Sequence, residues 1–428
     1  MQIHIVQRGE TISSIANYYG VSASRIIADN GLSALPNLVV GQALLILFPS
    51  TIYTVQRGDT LSRIARNFGT TVTALRQNNP SLILNPTLQP GQQLTIFFSL
   101  EKRRSITVNG YAYPHINRTL LRQTLPYLSS LTIFGYGFQE NGELIPINDL
   151  PLIELAQQEN VAPVMLLSSI TEDGSFSGSR ASLLFNDVAL QDRLLENILE
   201  TMQRKGYTAL DIDFEYIAPA DSVGFLEFLE NATNTLHAEG YTVQVDLAPK
   251  TYADQPGLLY EAHNYGAIGA IVDRVLLMTY EWGYTYSPPM AVAPLNNVRR
   301  VIEYAVTEIP VSKIMMGIPN YGYDWTLPYE KGTSRATNIG NTTALQLAAR
   351  YGAEIQFDTV AASPFFNYWD NAGKKHVVWF EDIRSITAKY DLLDEFSLRG
   401  TGYWTIMRAF RQNWAFIGAA YNIRKGTS

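Results

Sequence analysis

The stretch Tyr207-Thr208-Ala209-Leu210-Asp211-Ile212-Asp213-Phe214-Glu215 carries a carboxylate at every second position of its second half. In a β-strand successive side chains point to opposite faces. Asp211, Asp213 and Glu215 therefore share one face, and Leu210, Ile212 and Phe214 share the other. Strict alternation with large apolar residues does not suit a solvated helix face. At a rise of about 3.3 Å per residue, neighbouring acids on that face stand roughly 7 Å apart. Three such groups in a low-dielectric interior cannot all ionise cheaply, so at least one proton is expected to be shared among them. A carboxyl kept protonated near neutral pH is equipped to act as a general acid.

Working outward, strand-like runs occur at 105–109, 131–136, 162–168, 207–215, 241–247, 274–280, 314–319 and 401–406, and helical patterns separate them. Leu194, Leu195, Ile198, Leu199 and Met202 form one stripe closed by Gly206. Phe225, Leu226, Phe228 and Leu229 begin another that ends near Gly240. Strand and helix alternating eight times predicts an α/β fold, a (β/α)8 TIM barrel. The acidic stretch is its fourth strand, with the acids turned to the lumen and Glu215 at the C-terminal mouth, where active sites of this fold lie. Residues 324–380 break the rhythm. A helix at 343–351 is followed by short β runs at 354–358, 365–369 and 376–380, with Asp370-Asn371-Ala372-Gly373 as a hairpin turn. This predicts a small α+β insertion between strands seven and eight.

The first hundred residues repeat. Val6-Gln7-Arg8-Gly9-Glu10-Thr11-Ile12-Ser13-Ser14-Ile15-Ala16 returns as Val55-Gln56-Arg57-Gly58-Asp59-Thr60-Leu61-Ser62-Arg63-Ile64-Ala65. Gly20 recurs as Gly69, Asn30 as Asn79, and Gly41-Gln42 as Gly91-Gln92. Each copy reads as strand, helix, helix, strand, with a glycine beyond the first helix as its C-cap signal. The expected domains are 1–49 and 50–98, two small βααβ modules, and 99–428, the barrel.

Composition narrows the function. A 46% hydrophobic share against 17% charged residues supplies a large core, and a net charge of −7 without basic clusters argues against nucleic acid as a partner. Absence of cysteine removes disulfides, thiolate nucleophiles and Cys-ligated zinc. The five histidines have no ligand spacing, so neither metal nor cofactor is expected. No run reaches the ~18 apolar residues of a membrane span, and the N-terminus lacks the pattern of a secretory signal. A soluble monomer without membrane attachment is expected. Gly135-Tyr136-Gly137 is a poor dinucleotide fingerprint, because position 140 is Glu where the third glycine belongs.

The repeated modules resemble the LysM domain. That resemblance implies binding of N-acetylglucosamine-containing glycan, peptidoglycan or chitin, at Gly9, Glu10, Thr11 and residues 30–32 with Asn30 in copy one. The counterparts in copy two are Gly58, Asp59, Thr60 and residues 79–81 with Asn79. Two weak sites on one chain gain by avidity. The acidic stretch resembles the DxxDxDxE signature of glycoside hydrolase family 18. Met278-Thr279-Tyr280, Met316 to Tyr321 and Gly402-Tyr403-Trp404 match the same family's later strands. Two positions depart from its pattern, Thr208 for the first Asp and Ala209 for the following Gly, and Glu281 stands where an Asp is common.

The resemblance implies retaining hydrolysis of a β-linked N-acetylhexosamine with the substrate's acetamide as nucleophile, a substrate-assisted variant of the two-carboxylate scheme. It casts Glu215 as proton donor, Asp213 as the group orienting the acetamide, Asp211 as its tuner and the Tyr280 hydroxyl as a further acetamide contact. Trp404 would stack beneath the sugar. Met278, Tyr111, Gln139, Glu281, Trp282, Asn320 and Tyr321 are further candidates for substrate contact. Two LysM copies ahead of such a barrel resemble the spore cortex-lytic enzymes of endospore-forming bacteria. The implied activity is an N-acetylglucosaminidase cutting β-1,4 bonds of cortex peptidoglycan, located at the spore coat and cortex or the cell wall. The rival expectations are a chitinase or chito-oligosaccharide hydrolase, and a non-catalytic wall-binding lectin whose usual mark is a lost catalytic Glu.

Overall fold

The computed structural model describes residues 1–35, 37–171 and 174–426. The apolar runs fold as eight parallel strands: β1 (Ser105–Ala112), β2 (Ser130–Phe138), β3 (Ala162–Ser168), β4 (Ala209–Asp213), β5 (Thr242–Leu247), β6 (Arg274–Leu277), β7 (Ile314–Pro319) and β8 (Gly400–Trp404). Each pairs with the next, and β8 pairs back onto β1, so the sheet closes. This is the (β/α)8 barrel. The amphipathic runs between the strands form its helical ring. Val188–Lys205 buries Leu194, Leu195, Ile198 and Met202, and ends on Gly206 at φ 82. Phe214 faces the ring, packing on Phe138, Phe185, Phe225 and Phe228.

Three strands stop short of expectation, whereas β1 and β2 run on to Ala112 and Phe138. β4 stops at Asp213 rather than 215, β6 stops at Leu277 rather than 280, and β8 ends at Trp404. For β4 and β6 the reason lies in the backbone at the mouth, where Tyr216 (φ 57) and Glu281 (φ 67) adopt left-handed conformations that a ladder cannot continue through. Gly317 on β7 is required by its neighbour, since a Cβ there would lie 2.7 Å from the Tyr280 ring.

The insertion is an antiparallel five-stranded sheet with the helix Asn341–Tyr351. Its hairpin Ser363–Trp369 and Lys375–Trp379 turns at 370–374. Phe366, Val378 and Phe380 pack with Ala344 and Ala348 as a separate core.

Each LysM copy pairs its first strand with its last, Gln2–Ile5 with Ala43–Ile46 and Pro49–Thr54 with Gln93–Phe98, around two helices. Thr11 and Thr60 cap the first helices by accepting from Ser14 N–H and Arg63 N–H. Both copies are seated on the flank of the barrel. Ile83 and Leu45 join the main barrel core. Ile355 N–H donates to Val40 O at 3.0 Å, Gln77 Nε2 to Pro126 O at 2.8 Å, and Arg76 pairs with Glu159 at 2.6 Å. The copies are also tied to each other, by Arg25 Nη1 donating to Asn78 O at 2.6 Å. Among the described residues no helix is long and apolar enough to cross a membrane.

Candidate active site

Strand alternation delivers the acids as a graded row. Asp211 is fully buried inside the barrel, Asp213 is nearly so, and Glu215 is half-buried where β4 has given way to the mouth. Above them opens a cleft of about 480 Å³ whose wall includes Asp213, Glu215, Tyr280, Glu281, Trp282 and Trp404, with Met278. Trp404 is held on edge by Tyr111, Tyr113 and Phe134 at ring separations of 5.8, 6.1 and 5.4 Å.

Beneath the cleft lies a polar network. Asp211 Oδ2 accepts from Tyr111 Oη at 2.9 Å and from Gln244 Nε2 at 2.7 Å, while Asp246 Oδ1 stands 2.7 Å from the same Tyr111 hydroxyl. One hydroxyl proton cannot serve two carboxylates, so the second contact requires a proton on an acid. Burial raises the pKa of Asp211, Asp213 and Asp246 above the ordinary carboxylate range, and the like charges of the neighbouring acids push Asp213 and Asp246 further. Burial also raises Glu215, whose charged neighbour is Glu281 across the cleft. Crowding within the acidic row is thus the main charge effect on Asp213, whereas Glu215 answers to Glu281 in the loop after β6. Asp211 Oδ1 and Asp213 Oδ1 have no partner within the protein.

The remaining candidates divide. Glu281 accepts from Tyr321 Oη at 2.5 Å and Tyr323 Oη at 3.1 Å, so Tyr321 reaches the cleft through Glu281. Tyr111 was expected to touch substrate but is wholly buried under Trp404 and ties Asp211 to Asp246. Asn320 is also buried, donating through Nδ2 to Thr405 O and Arg408 O, and fixes the turn after β8. Gln139 lies in a turn closed by its own N–H to Glu143 O, outside the cleft lining. Thr208 donates to Pro163 O at 2.9 Å, holding the base of β4 to β3 where the related pattern has an acid.

The LysM candidates divide in the same way. Gly9, Thr11, Gly58 and Thr60 are exposed. Glu10 and Asp59 staple their own loops by accepting from Gln7 N–H at 2.6 Å and Gln56 N–H at 2.8 Å. Asn30 and Asn79 are buried, and their amides are spent on backbone. Asn79 donates to Leu75 O and Thr95 O and accepts from Thr95 N–H, and Asn30 does the same with Ile26 and Leu45. Their side chains hold helix to strand.

Sequence reading missed Asp246 and Gln244, although 242, 244 and 246 alternate on the fifth strand as the acids do on the fourth. It also missed Ser168, which stands opposite Asp213 in the β3–β4 register with its Oγ unpartnered. Tyr216, Tyr260 and Tyr284 line the cleft from loops without periodicity.

A closed parallel barrel whose mouth joins a row of pKa-raised carboxyls to an aromatic floor defines a glycoside hydrolase. Residues 111–409 match the model of glycosyl hydrolases family 18, and residues 4–46 and 53–97 each match the LysM domain. The chain belongs to glycosyl hydrolases family 18, with two LysM domains ahead of the barrel. It is 41% identical over 433 residues, covering 100% of both chains, to the cortical fragment-lytic enzyme of Bacillus subtilis. The crystal structure of the Bacillus megaterium spore cortex-lytic enzyme SleL superposes with a TM-score of 0.83 at 40% identity, covering 99% of each chain. A chitinase from Chromobacterium violaceum shares 25% identity with a TM-score of 0.68, over 73% of this chain and 98% of its own.

Proposed function

We propose that the protein is an N-acetylglucosaminidase that cuts β-1,4 bonds of spore cortex peptidoglycan, acting as a monomer held on the glycan by its LysM domains. The observation that carries this reading is Glu215, a carboxyl of raised pKa at the mouth of a cleft that also presents Asp213, Tyr280 and Trp404. Full-length similarity to enzymes named for cortex lysis supports the choice of glycan.

In the proposed reaction a sugar ring rests on Trp404. Glu215, protonated, gives its proton to the glycosidic oxygen as the C1–O bond breaks. The acetamide oxygen of the same sugar closes onto C1, so the positive charge develops on the substrate. Asp213 faces that charge and accepts the acetamide N–H, and the Tyr280 hydroxyl holds the acetamide from the other side. Glu215, now a carboxylate, takes a proton from the water that attacks C1, which reopens the ring with retained configuration and returns the acid to its starting form. Asp211 and Asp246 act through Asp213: with a proton held among them, their charge does not oppose the carboxylate that Asp213 needs.

Mass spectrometry of fragments released from spore cortex, vegetative wall and chitin tests the substrate. Cortex fragments ending in reducing N-acetylglucosamine are expected. Cleavage of chitin alone would replace this reading with that of a chitinase.

A further inference from the structure

The cleft above the acidic row does not end at Trp282. A second groove, of about 340 Å³, opens beside it and shares Pro249, Tyr260 and Trp282 with the cleft wall. Past Glu215 that wall is built from the loops after β4, β5 and β6, which carry Tyr216, Tyr260 and Trp282 in turn. Trp404 ends β8, on the opposite side of the barrel from β4. A sugar resting on Trp404 with its glycosidic oxygen at Glu215 therefore sends its leaving group toward the β5 and β6 loops. The groove is the next space that group meets.

The groove wall offers hydrogen-bond donors and one positive charge. Arg300 and Asn297 stand three residues apart on the helix Leu295–Glu308, so they share the face that lines the groove. Arg300 is exposed and is the one charged side chain in the wall. Among the described residues no carboxylate pairs with it, whereas its neighbour Arg299 is held by Glu395 at 2.6 Å. Gln255 spends its side-chain oxygen on Thr251, accepting from the N–H at 2.8 Å and the hydroxyl at 3.1 Å, which leaves its NH2 to donate. An unpaired guanidinium beside two amides, with no acid in the wall, fits a carboxylate, since its planar fork presents parallel N–H donors to two oxygens.

We infer that Arg300 is a specificity-determining residue that reads a carboxylate carried on the 3-O-lactyl group of the leaving sugar, N-acetylmuramic acid. The carboxylate is the lactyl group's own or that of a peptide attached to it. Muramic acid differs from glucosamine by this lactyl group alone, so the groove separates peptidoglycan from chitin by charge. This rests on the reading that the bond cut joins N-acetylglucosamine to N-acetylmuramic acid.

The test is steady-state hydrolysis of a tetrasaccharide of alternating N-acetylglucosamine and N-acetylmuramic acid by the full chain and by its Arg300→Gln variant. The glycan is supplied with the free lactyl carboxylate, with its neutral carboxamide, and with a peptide joined to the lactyl group. The unaltered protein should favour a charged form over the carboxamide, and Arg300→Gln should cut that preference about tenfold, through KM rather than kcat. Arg300→Lys should restore part of the preference, and raised salt should weaken it in the unaltered protein. A preference for the peptide form assigns the carboxylate to the peptide, and one for the free lactyl form assigns it to the sugar. The same ratio of charged to neutral kcat/KM in both proteins would overturn the inference and leave the proposed substrate standing. If the unaltered chain left every form uncut, the proposed substrate would fall and the inference with it.

Discussion

Asn79 in the second LysM domain and Asp213 in the barrel are buried to nearly the same degree, at 8% and 5% exposure, yet only the amide is satisfied. Asn79 meets three backbone groups. Asp213 has an unpartnered oxygen, a row of like charges and a pKa raised by burial. A polar group that is fully met holds a fold together, and one that is kept short of partners is available to something that arrives later. In the LysM domains Asn30 repeats the pattern of Asn79. On the fourth barrel strand Asp211 shares the shortfall of Asp213, with its own Oδ1 unpartnered.

Substitutions at the two positions separate these roles. Asp213→Asn should lower kcat about 10²- to 10³-fold with little change in melting temperature, since in the proposed reaction it removes the charge that faces the developing positive centre. Fragment release and thermal unfolding, measured on the same preparation, check both halves. Asn79→Ala should do the reverse, leaving Thr95 N–H unmet at a cost of roughly 1–3 kcal/mol while kcat on soluble fragments stays unchanged. Denaturant unfolding followed by a probe in the LysM region reads that loss.

Two further predictions concern pH. Asp246 has a folded pKa above its unfolded value of about 3.9, so the native state holds an extra proton. Its contribution to stability is present below about pH 4 and is lost as pH rises through the folded value. Asp246→Asn should therefore flatten the decline of melting temperature on the alkaline side. Glu281→Gln removes the charge that helps to raise Glu215. The proton donor then loses its proton at lower pH, and the alkaline limb of the kcat/KM profile should move toward acid. A limb that stays in place would show that Glu281 does not govern the donor.

Much of this contrast was legible in the sequence. Period-two alternation at Asp211, Asp213 and Glu215 located the lumen, and eight strand–helix alternations gave the barrel around it. The offset repeat defined both LysM copies. What periodicity does not carry is which polar residues find partners. Asn320, Asn30 and Asn79 read as ligand contacts from the motifs they sit in, and Tyr111 as a further candidate; only their neighbours in space show how their side chains bond within the protein. The mouth was equally hidden. Tyr216 and Glu281 leave their strands through left-handed backbone that no pattern of apolar residues announces, and that departure shortens β4 and β6.

The most direct test of the account is Glu215→Gln in the full-length protein, assayed on cortex peptidoglycan for both binding and release of reducing ends. The variant should sediment with cortex as the unaltered protein does while releasing almost nothing, because glutamine keeps the shape of the cleft and has no proton to give. Equal release by the two proteins would contradict the role of Glu215, and with it the assignment of the acidic row as the catalytic centre.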